Sequence, residues 1–323
     1  MTDSTPNAET GTKKRLLTGL QPSGEQLHIG NYFGALKPFV DLYEEYESFL
    51  MVVDYHALTT VRDPEILRRN IPEVVKDYLA AGVDPEKAII FQQSRVPEHT
   101  ELAWIFECLV TVPFLMQAHS YKDKVAKDIE PTAGLFNYPM LMAADILLYD
   151  TDIVPVGHDQ KQHVEYAREA ATKFNLAYGE TFTMPQEKII EGVGVVPGTD
   201  GAKMSKSYKN TIPLFAPKDV IAKAVMGIVT DSSGTRPENV YAIHKLFKSE
   251  AELEPLYQEH EGKYKALKEA LIEDIEAYFA PLRERRDSIS DADVKKVIEE
   301  GSEKARGIAE SKMTTAKRQI GIH

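Results

Sequence analysis

The stretch GAKMSKSYKN, Gly201 to Asn210, places three lysines and two serines in ten residues and offers almost nothing apolar to a core. Mobile positive charge at that density suits an anionic partner. A second stretch, TGLQPSGEQLHIGNYFGAL, starts at Thr18, carries Gly19, Gly24, Gly30 and Gly34, and runs from an expected strand into a helix. Glycines there let backbone N–H groups and a helix N-terminus come close to a phosphate. Neither G-x-G-x-x-G nor G-x-x-x-x-G-K-[ST] nor H-E-x-x-H occurs, so the common dinucleotide, P-loop and metalloprotease patterns do not account for the region. In a third stretch Tyr138, Met142, Asp145 and Tyr149 recur at i, i+4, i+7 and i+11, which is one stripe of a helix. A stripe of aromatic, thioether and carboxylate groups can line a flat apolar pocket with one acceptor at its end. An indole has a single polar group, an N–H donor, so a partly buried carboxylate is a fitting reader of it, and methionine adapts to an aromatic ring. A core helix with Asp145 paired elsewhere would show the same spacing.

These residues need elements to position them. RLLTG (15–19), SFLMVVD (48–54) and KAIIFQQ (87–93) are β-branched or aromatic runs bounded by turn residues, and they read as strands. DPEILRRNIPEVVKDYLAAG, opened by Asp63 and Pro64 and closed by Gly82, reads as a helix with both ends marked. Pro139 suits the start of the helix that carries the Asp145 stripe. Strand–helix–strand alternation predicts an α/β fold, a parallel sheet with helices on both faces. After Pro213 the strand signals vanish and the spacing is helical. The chain therefore divides into a disordered tail (1–14), a sheet domain (15–213) and an all-helical domain (214–323).

With 323 residues, 43% hydrophobic and 27% charged, the chain can bury a full core. A formal net charge of −12 argues against a general nucleic-acid coat, so any polyanion must meet local basic patches. The single cysteine, Cys108, excludes an intramolecular disulfide and a Cys-based metal site, and is expected to be buried and inert. No apolar run is long enough for a membrane span and no signal peptide opens the chain, which places the protein in the cytoplasm.

HIGN at 28–31 followed by KMSKS at 203–207 resembles the paired ATP signatures of class I aminoacyl-tRNA synthetases. The resemblance implies a Rossmann-like nucleotide-binding sheet and activation of an amino acid by ATP, then transfer to tRNA. In that reading Lys203 and Lys206 close over the phosphates as charge builds on the departing pyrophosphate, with Ser205 and Ser207 donating hydrogen bonds. The blocks TGLQPSG, HIGNYFGAL, VVDYHALTT, YPMLMAADILLYDTDIVPVGHDQKQH and VTDSSG are further similar to bacterial tryptophanyl-tRNA synthetases. This implies that Asp145 accepts the indole N–H, with Tyr138, Met142, Gly19, Val53, His56, Ile146, Val154 and Val156 around the side chain and Gln160 at the substrate ammonium. It also implies that Gln21, Pro22 and Ser23 touch ATP or the activated carboxyl, that Gly30 and Asn31 contact adenosine, and that His28 and Met204 lie near the triphosphate. Gly157, His158 and Asp159 would hold ribose and Lys124 would reach phosphate. Mg²⁺ would arrive on the phosphates of ATP, with no protein side chain as its ligand. The expected partners are L-tryptophan, ATP and tRNA(Trp), with a homodimer as the assembly and Arg283, Arg285, Arg286 and the terminal KARGIAESKMTTAKRQ as basic surface for tRNA. Departures from the family pattern are the extra residue in GEQLHIG, His158 in place of an acid, and Tyr208–Lys209 after KMSKS. Two other readings stand beside this one: a tyrosyl-tRNA synthetase, and a synthetase-like regulator that binds tryptophan or RNA without catalysis.

Overall fold

The computed structural model describes residues 13–24, 27–118, 121–122, 126, 130–156, 161–189, 196–230 and 236–322, with only the backbone of Ser207. Five parallel strands, β1 (Arg15–Leu20), β2 (Glu47–Val52), β3 (Ala88–Gln92), β4 (Ile153–Val156) and β5 (Gln186–Ile189), form one sheet in the order β3-β2-β1-β4-β5. The chain works outward from β1 to β3, then returns to place β4 on the other side of β1. That reversal opens a crevice at the carboxyl ends of β1 and β4, where open α/β sheets bind ligands.

β1, β2 and β3 were readable as near-continuous apolar runs, as strands buried on both faces are, whereas the four-residue β4 and β5 were not read. Five of the six residues of β2 are buried. Alternation then assigns each side chain to a layer: Leu16, Leu50, Val52 and Ile90 pack into one core, and Leu17, Phe49, Met51 and Phe91 into the other.

Helices follow in chain order: α1 (Ile29–Asn31), α2 (Lys37–Leu42), α3 (Asp54–Ala57), α4 (Pro64–Ala80), α5 (Glu98–Glu107), α6 (Val112–Leu115), α7 (Ala133–Leu147), α8 (Lys161–Tyr178), α9 (Lys218–Met226), α10 (Glu238–His244), α11 (Glu250–Glu259), α12 (Tyr264–Ser288) and α13 (Asp291–Ile320). The two end signals of α4 hold: the Asp63 carboxylate accepts from the Glu65 amide at 2.9 Å, and Gly82 takes φ 105° just beyond the last turn. Pro139 does not start α7. Thr132 supplies the cap, its hydroxyl accepting from the Leu135 amide, so the helix begins six residues before the proline and carries it inside.

The helical remainder packs straight onto the sheet layers. Ile221, Val225, Leu271, Ile275 and Phe279 join the core that contains Leu16 and Leu50. Helix α13 contributes to both layers, Val294 and Ile298 to that core and Ala305, Ala309, Met313 and Ala316 to the opposite one, so it crosses the outer edge of β3. At the crossing sits Gly301, where a Cβ would fall 1.8 Å from the Ile90 carbonyl oxygen. A mid-helix glycine costs about 1 kcal/mol relative to alanine, and here close approach requires it. Next to it the Ser302 hydroxyl accepts the free edge N–H of Gln92 at 3.3 Å.

Much of the basic surface expected to meet tRNA is engaged inside the chain. Arg286 is bound to Asp77 at 2.6 Å and Glu73 at 2.5 Å, and Arg283 to Glu276 at 2.8 Å. In α13, Lys312 pairs with Asp150 and Lys317 with Glu101, each at 2.6 Å. Arg286, Lys312 and Lys317 thereby dock the helical region on the sheet region, while Arg283 pairs within α12. Burial pushes the Asp77 carboxyl up to about 6 against the pull of Arg286. Cys108, expected to be buried, is exposed, because it ends α5 on the face that also turns Trp104 outward. Among the described residues no helix is long and apolar enough to cross a membrane.

Candidate active site

The loop that leaves β1 and the lysine-rich loop meet at the crevice. Short bridges pair His28 with Pro213, and Pro197 with Lys203. Met204 is buried beneath the first turn of α1, its sulfur 3.2 Å from the Gly30 amide. A Cβ on Gly30 would stand 2.8 Å from His28 Nδ1 and 3.1 Å from Met204 Cβ, so glycine is what lets the two signatures touch. Lys206 reaches over the other glycine of the loop, since a Cβ on Gly24 would lie 3.2 Å from its ammonium. Lys203 is exposed on the same hairpin.

In the first turn of α1 the backbone N–H groups are engaged within the chain. Ile29 donates to the Ile212 carbonyl, Gly30 to the Met204 sulfur, and Asn31 to His28 Nδ1 at 3.2 Å. Beside those committed donors, the Lys206 ammonium is the cationic group that the structure places against the loop. His28 Nδ1 accepts as the cap of α1, which needs an unprotonated nitrogen. Burial, and then the charge of Lys206, lower His28 to about 4. At neutral pH it therefore caps the turn as an uncharged ring.

One residue absent from the sequence reading holds the lysine hairpin together. Asn210, 2% exposed, donates to the Asp200 carboxylate at 2.7 Å and the Lys203 carbonyl at 3.0 Å, while its side-chain oxygen accepts from the Ser205 amide at 2.8 Å. Its own carbonyl accepts from Thr199 at 2.9 Å. Lys209, at φ 53°, makes the left-handed corner that turns Asn210 inward. Gly198 admits it, as a Cβ there would lie 2.3 Å from Asn210 Nδ2. The backbone of Lys203 and Ser205 is thereby fixed, while the lysine side chains stay outside.

The second half of the site lies at the ends of β1 and β2. Gly19 packs against Val53, with a Cβ position 2.9 Å from Val53 Cγ1, so a side chain at 19 would fill the space. His56 on α3 and Asp145 on α7 meet at 2.8 Å. Asp145 is 2% exposed, and its Oδ1 also receives His99 Nδ1 at 2.6 Å and Gln93 Nε2 at 2.7 Å. Burial alone would push this carboxyl up, but His99 and His56 outweigh it and hold the group well below the usual carboxylate range. It is therefore an ionised, acceptor-only group. Tyr138 and Met142 are half-buried on the same face of α7, with the Tyr138 ring 6.4 Å from that of His56. Ile146 and Val154 are buried and Val156 half-buried in the adjoining layer.

Of the other expected site residues, Gln21 and Ser23 are exposed at the crevice and Pro22 is buried. The Pro22 and Gly24 carbonyls accept from Asn70 of α4, at 3.3 and 2.5 Å. Lys124, Gly157, His158, Asp159 and Gln160, and the side chain of Ser207, lie outside the described residues. Gln93, His99 and Asn210 were not found from sequence. His99 lies 46 and Gln93 52 positions from Asp145, and no spacing rule connects them.

Sheet order, crevice and joined signature loops together define a class. The family model of class I tRNA synthetases (W and Y) matches residues 9–305, and the chain belongs to that family. Within it, the chain is 48% identical to the tryptophan–tRNA ligase of Fusobacterium nucleatum over 320 residues, 96% of this chain and 98% of that one. Identity to the tryptophan–tRNA ligase of Rhodopirellula baltica is 45% over 319 residues, covering 95% and 99% of the two chains. Among solved structures, tryptophanyl-tRNA synthetase of Campylobacter jejuni complexed with ADP and tryptophan superposes with a TM-score of 0.87 at 45% identity, covering 95% of this chain and 100% of that one.

Proposed function

We propose that this chain is a tryptophan–tRNA ligase: it activates L-tryptophan with ATP to tryptophanyl-adenylate and pyrophosphate, and passes the tryptophanyl group to tRNA(Trp). The observation that carries the reading is an ionised, buried Asp145 at the end of the Tyr138–Met142 stripe, at the same sheet end as Lys206. A tryptophan carboxylate oxygen attacks the α-phosphorus and the bond to pyrophosphate breaks. The terminal ribose hydroxyl of tRNA then attacks the adenylate carbonyl and AMP leaves. Lys203 and Lys206 oppose the charge that grows on pyrophosphate, and no covalent bond to the enzyme is needed.

Asp145 reads the indole N–H, within a pocket of Gly19, Val53, His56, Tyr138, Met142, Ile146, Val154 and Val156. Gln160 takes the ammonium. Gln21, Pro22, Ser23, Gly30, Asn31, Gly157, His158 and Asp159 line the ATP side, and Lys124 joins the cations. Mg²⁺ enters with ATP, held by phosphate oxygens whose charge it offsets.

Residues 15–213 form the catalytic domain and 214–323 a helical domain that meets the tRNA anticodon, in the cytoplasm. Exposed Trp104, Val112 and Met116 on neighbouring helices support a second copy of this chain as the partner on that face. A tyrosine substrate would need its hydroxyl both to donate and to accept. Asp145 accepts only, which favours tryptophan. Amino-acid-dependent ATP–pyrophosphate exchange over all twenty amino acids tests the whole reading. Exchange with tryptophan alone is expected, while exchange with tyrosine, or none in folded tryptophan-binding protein, would replace it by one of the two other readings.

A further inference from the structure

Asp145 is held from the core side by a chain of buried groups that the activity as described leaves unused. His99 is fully buried, with Nδ1 2.6 Å from Asp145 Oδ1 and Nε2 2.8 Å from the hydroxyl of Tyr149, also fully buried. The His99 ring stacks at 25° on Phe91, and Tyr149 packs between Phe49 and Phe91, so neither side chain has another rotamer to use. Gln93, likewise buried, donates to both carboxylate oxygens while its own carbonyl accepts the Tyr55 amide at 3.1 Å.

An ionised Asp145 only accepts, so His99 Nδ1 must donate. The far side of the ring is engaged as well, with Nε2 2.8 Å from the Tyr149 hydroxyl. The two faces of the carboxylate differ as a result. Oδ1 alone meets His99, Oδ2 alone meets His56 on the side of half-buried Tyr138 and Met142, and Gln93 bridges the two oxygens.

We infer that His99, held in place by Tyr149 and Phe91, is a positioning residue for amino-acid selection: it holds Oδ1 from the core side so that Oδ2 is presented as the acceptor for the indole N–H. This rests on the tryptophan pocket proposed above. Without His99 the carboxylate would turn about its terminal torsion and lose its fixed acceptor, at no cost to the ATP half of the site. Hydrogen bonds to charged groups are worth about 1.5–3 kcal/mol, or roughly 10- to 100-fold in an equilibrium.

The test is pyrophosphate exchange with tryptophan and with phenylalanine, giving KM for each amino acid and for ATP, in His99→Ala, His99→Asn and Tyr149→Phe. Asp145→Ala is measured beside them and circular dichroism checks folding. His99→Ala is expected to raise KM for tryptophan about 10- to 100-fold and to lower the tryptophan-to-phenylalanine ratio by a similar factor, with KM for ATP unchanged. His99→Asn, whose Nδ2 can stand where Nδ1 stood, should recover most of the loss. Tyr149→Phe leaves the ring volume and should cost a few-fold. If His99→Ala is unfolded, the Asn and Phe variants decide: a ratio equal to the parent's in Tyr149→Phe overturns the relay. Loss of selectivity in Asp145→Ala but not in a folded His99→Ala also overturns it, with the pocket reading intact. Retained selectivity in Asp145→Ala itself brings down the pocket reading and the relay with it.

Discussion

The two halves of the site are built on opposite principles. Around Asp145 every polar atom that matters is buried and joined to a partner on a different element, α3, α5, α7 or the turn after β3. Around Lys203 and Lys206 the backbone is fastened by Asn210, but the charged ends lie at the surface of a hairpin outside the sheet. A group that must tell tryptophan from other amino acids acts on the bound ground state and gains from rigidity. Cations that oppose charge appearing only as pyrophosphate departs gain from staying solvated until then, because desolvating a lysine early would cost more than the interaction returns. In the roles proposed above, one chain would use packing for choice and exposed charge for rate.

The largest effect that could break this contrast is expected at Asp145. Asp145→Ala should lose about 10⁴-fold in tryptophan over phenylalanine selectivity while KM for ATP holds, measured by exchange with each amino acid. Lys206→Ala should do the reverse, lowering kcat by about 10²- to 10³-fold with a smaller change in ATP binding. Equal losses in kcat and in ATP affinity would mean the lysine works on the ground state and the contrast is wrong. Asn210→Ala should lower kcat about 10-fold, through slack in the hairpin, and leave KM for tryptophan as it was. A rise in KM for tryptophan would show that the two halves are mechanically one.

A separate expected effect concerns pH and is read in stability, not in rate. His28 is lowered to about 4 in the folded chain, below its ordinary 6.5, so between these values the unfolded chain binds the proton first. The stability that depends on neutral His28 is present above 6.5 and is lost as pH falls toward 4. His28→Asn keeps a capping side chain without the titration. Denaturant unfolding should therefore show the parent losing up to about 3 kcal/mol relative to the variant across that window, and parallel curves would remove the assigned cause.

What could be read in the sequence was what local physics determines. The first three strands showed as apolar runs, α4 showed because Asp63 and Gly82 satisfy its ends, and β4 and β5 did not show because four residues, polar in β5, make no run. The Asp145 stripe followed from helical spacing. Long-range matters did not show. Gln93 and His99 meet Asp145 only through the fold, and Asn210 looked like the tail of a basic loop. Pro139 misled because a cap seven residues earlier was the stronger start, and Arg286 because composition does not say which charges face inward.

Gly301 and Ser302 also carry a consequence for how the molecule is made. Gln92 and its cover, Ser302, are separated by 210 positions. At about 5–20 residues per second, a nascent chain carries the open rim of β3 for roughly 10–40 s before α13 can close it. An uncovered strand rim is a template for pairing with other chains. A copy cut short before Asp291 would keep that hazard for its whole lifetime, so the last 30-residue helix serves the molecule as its own guard against clumping.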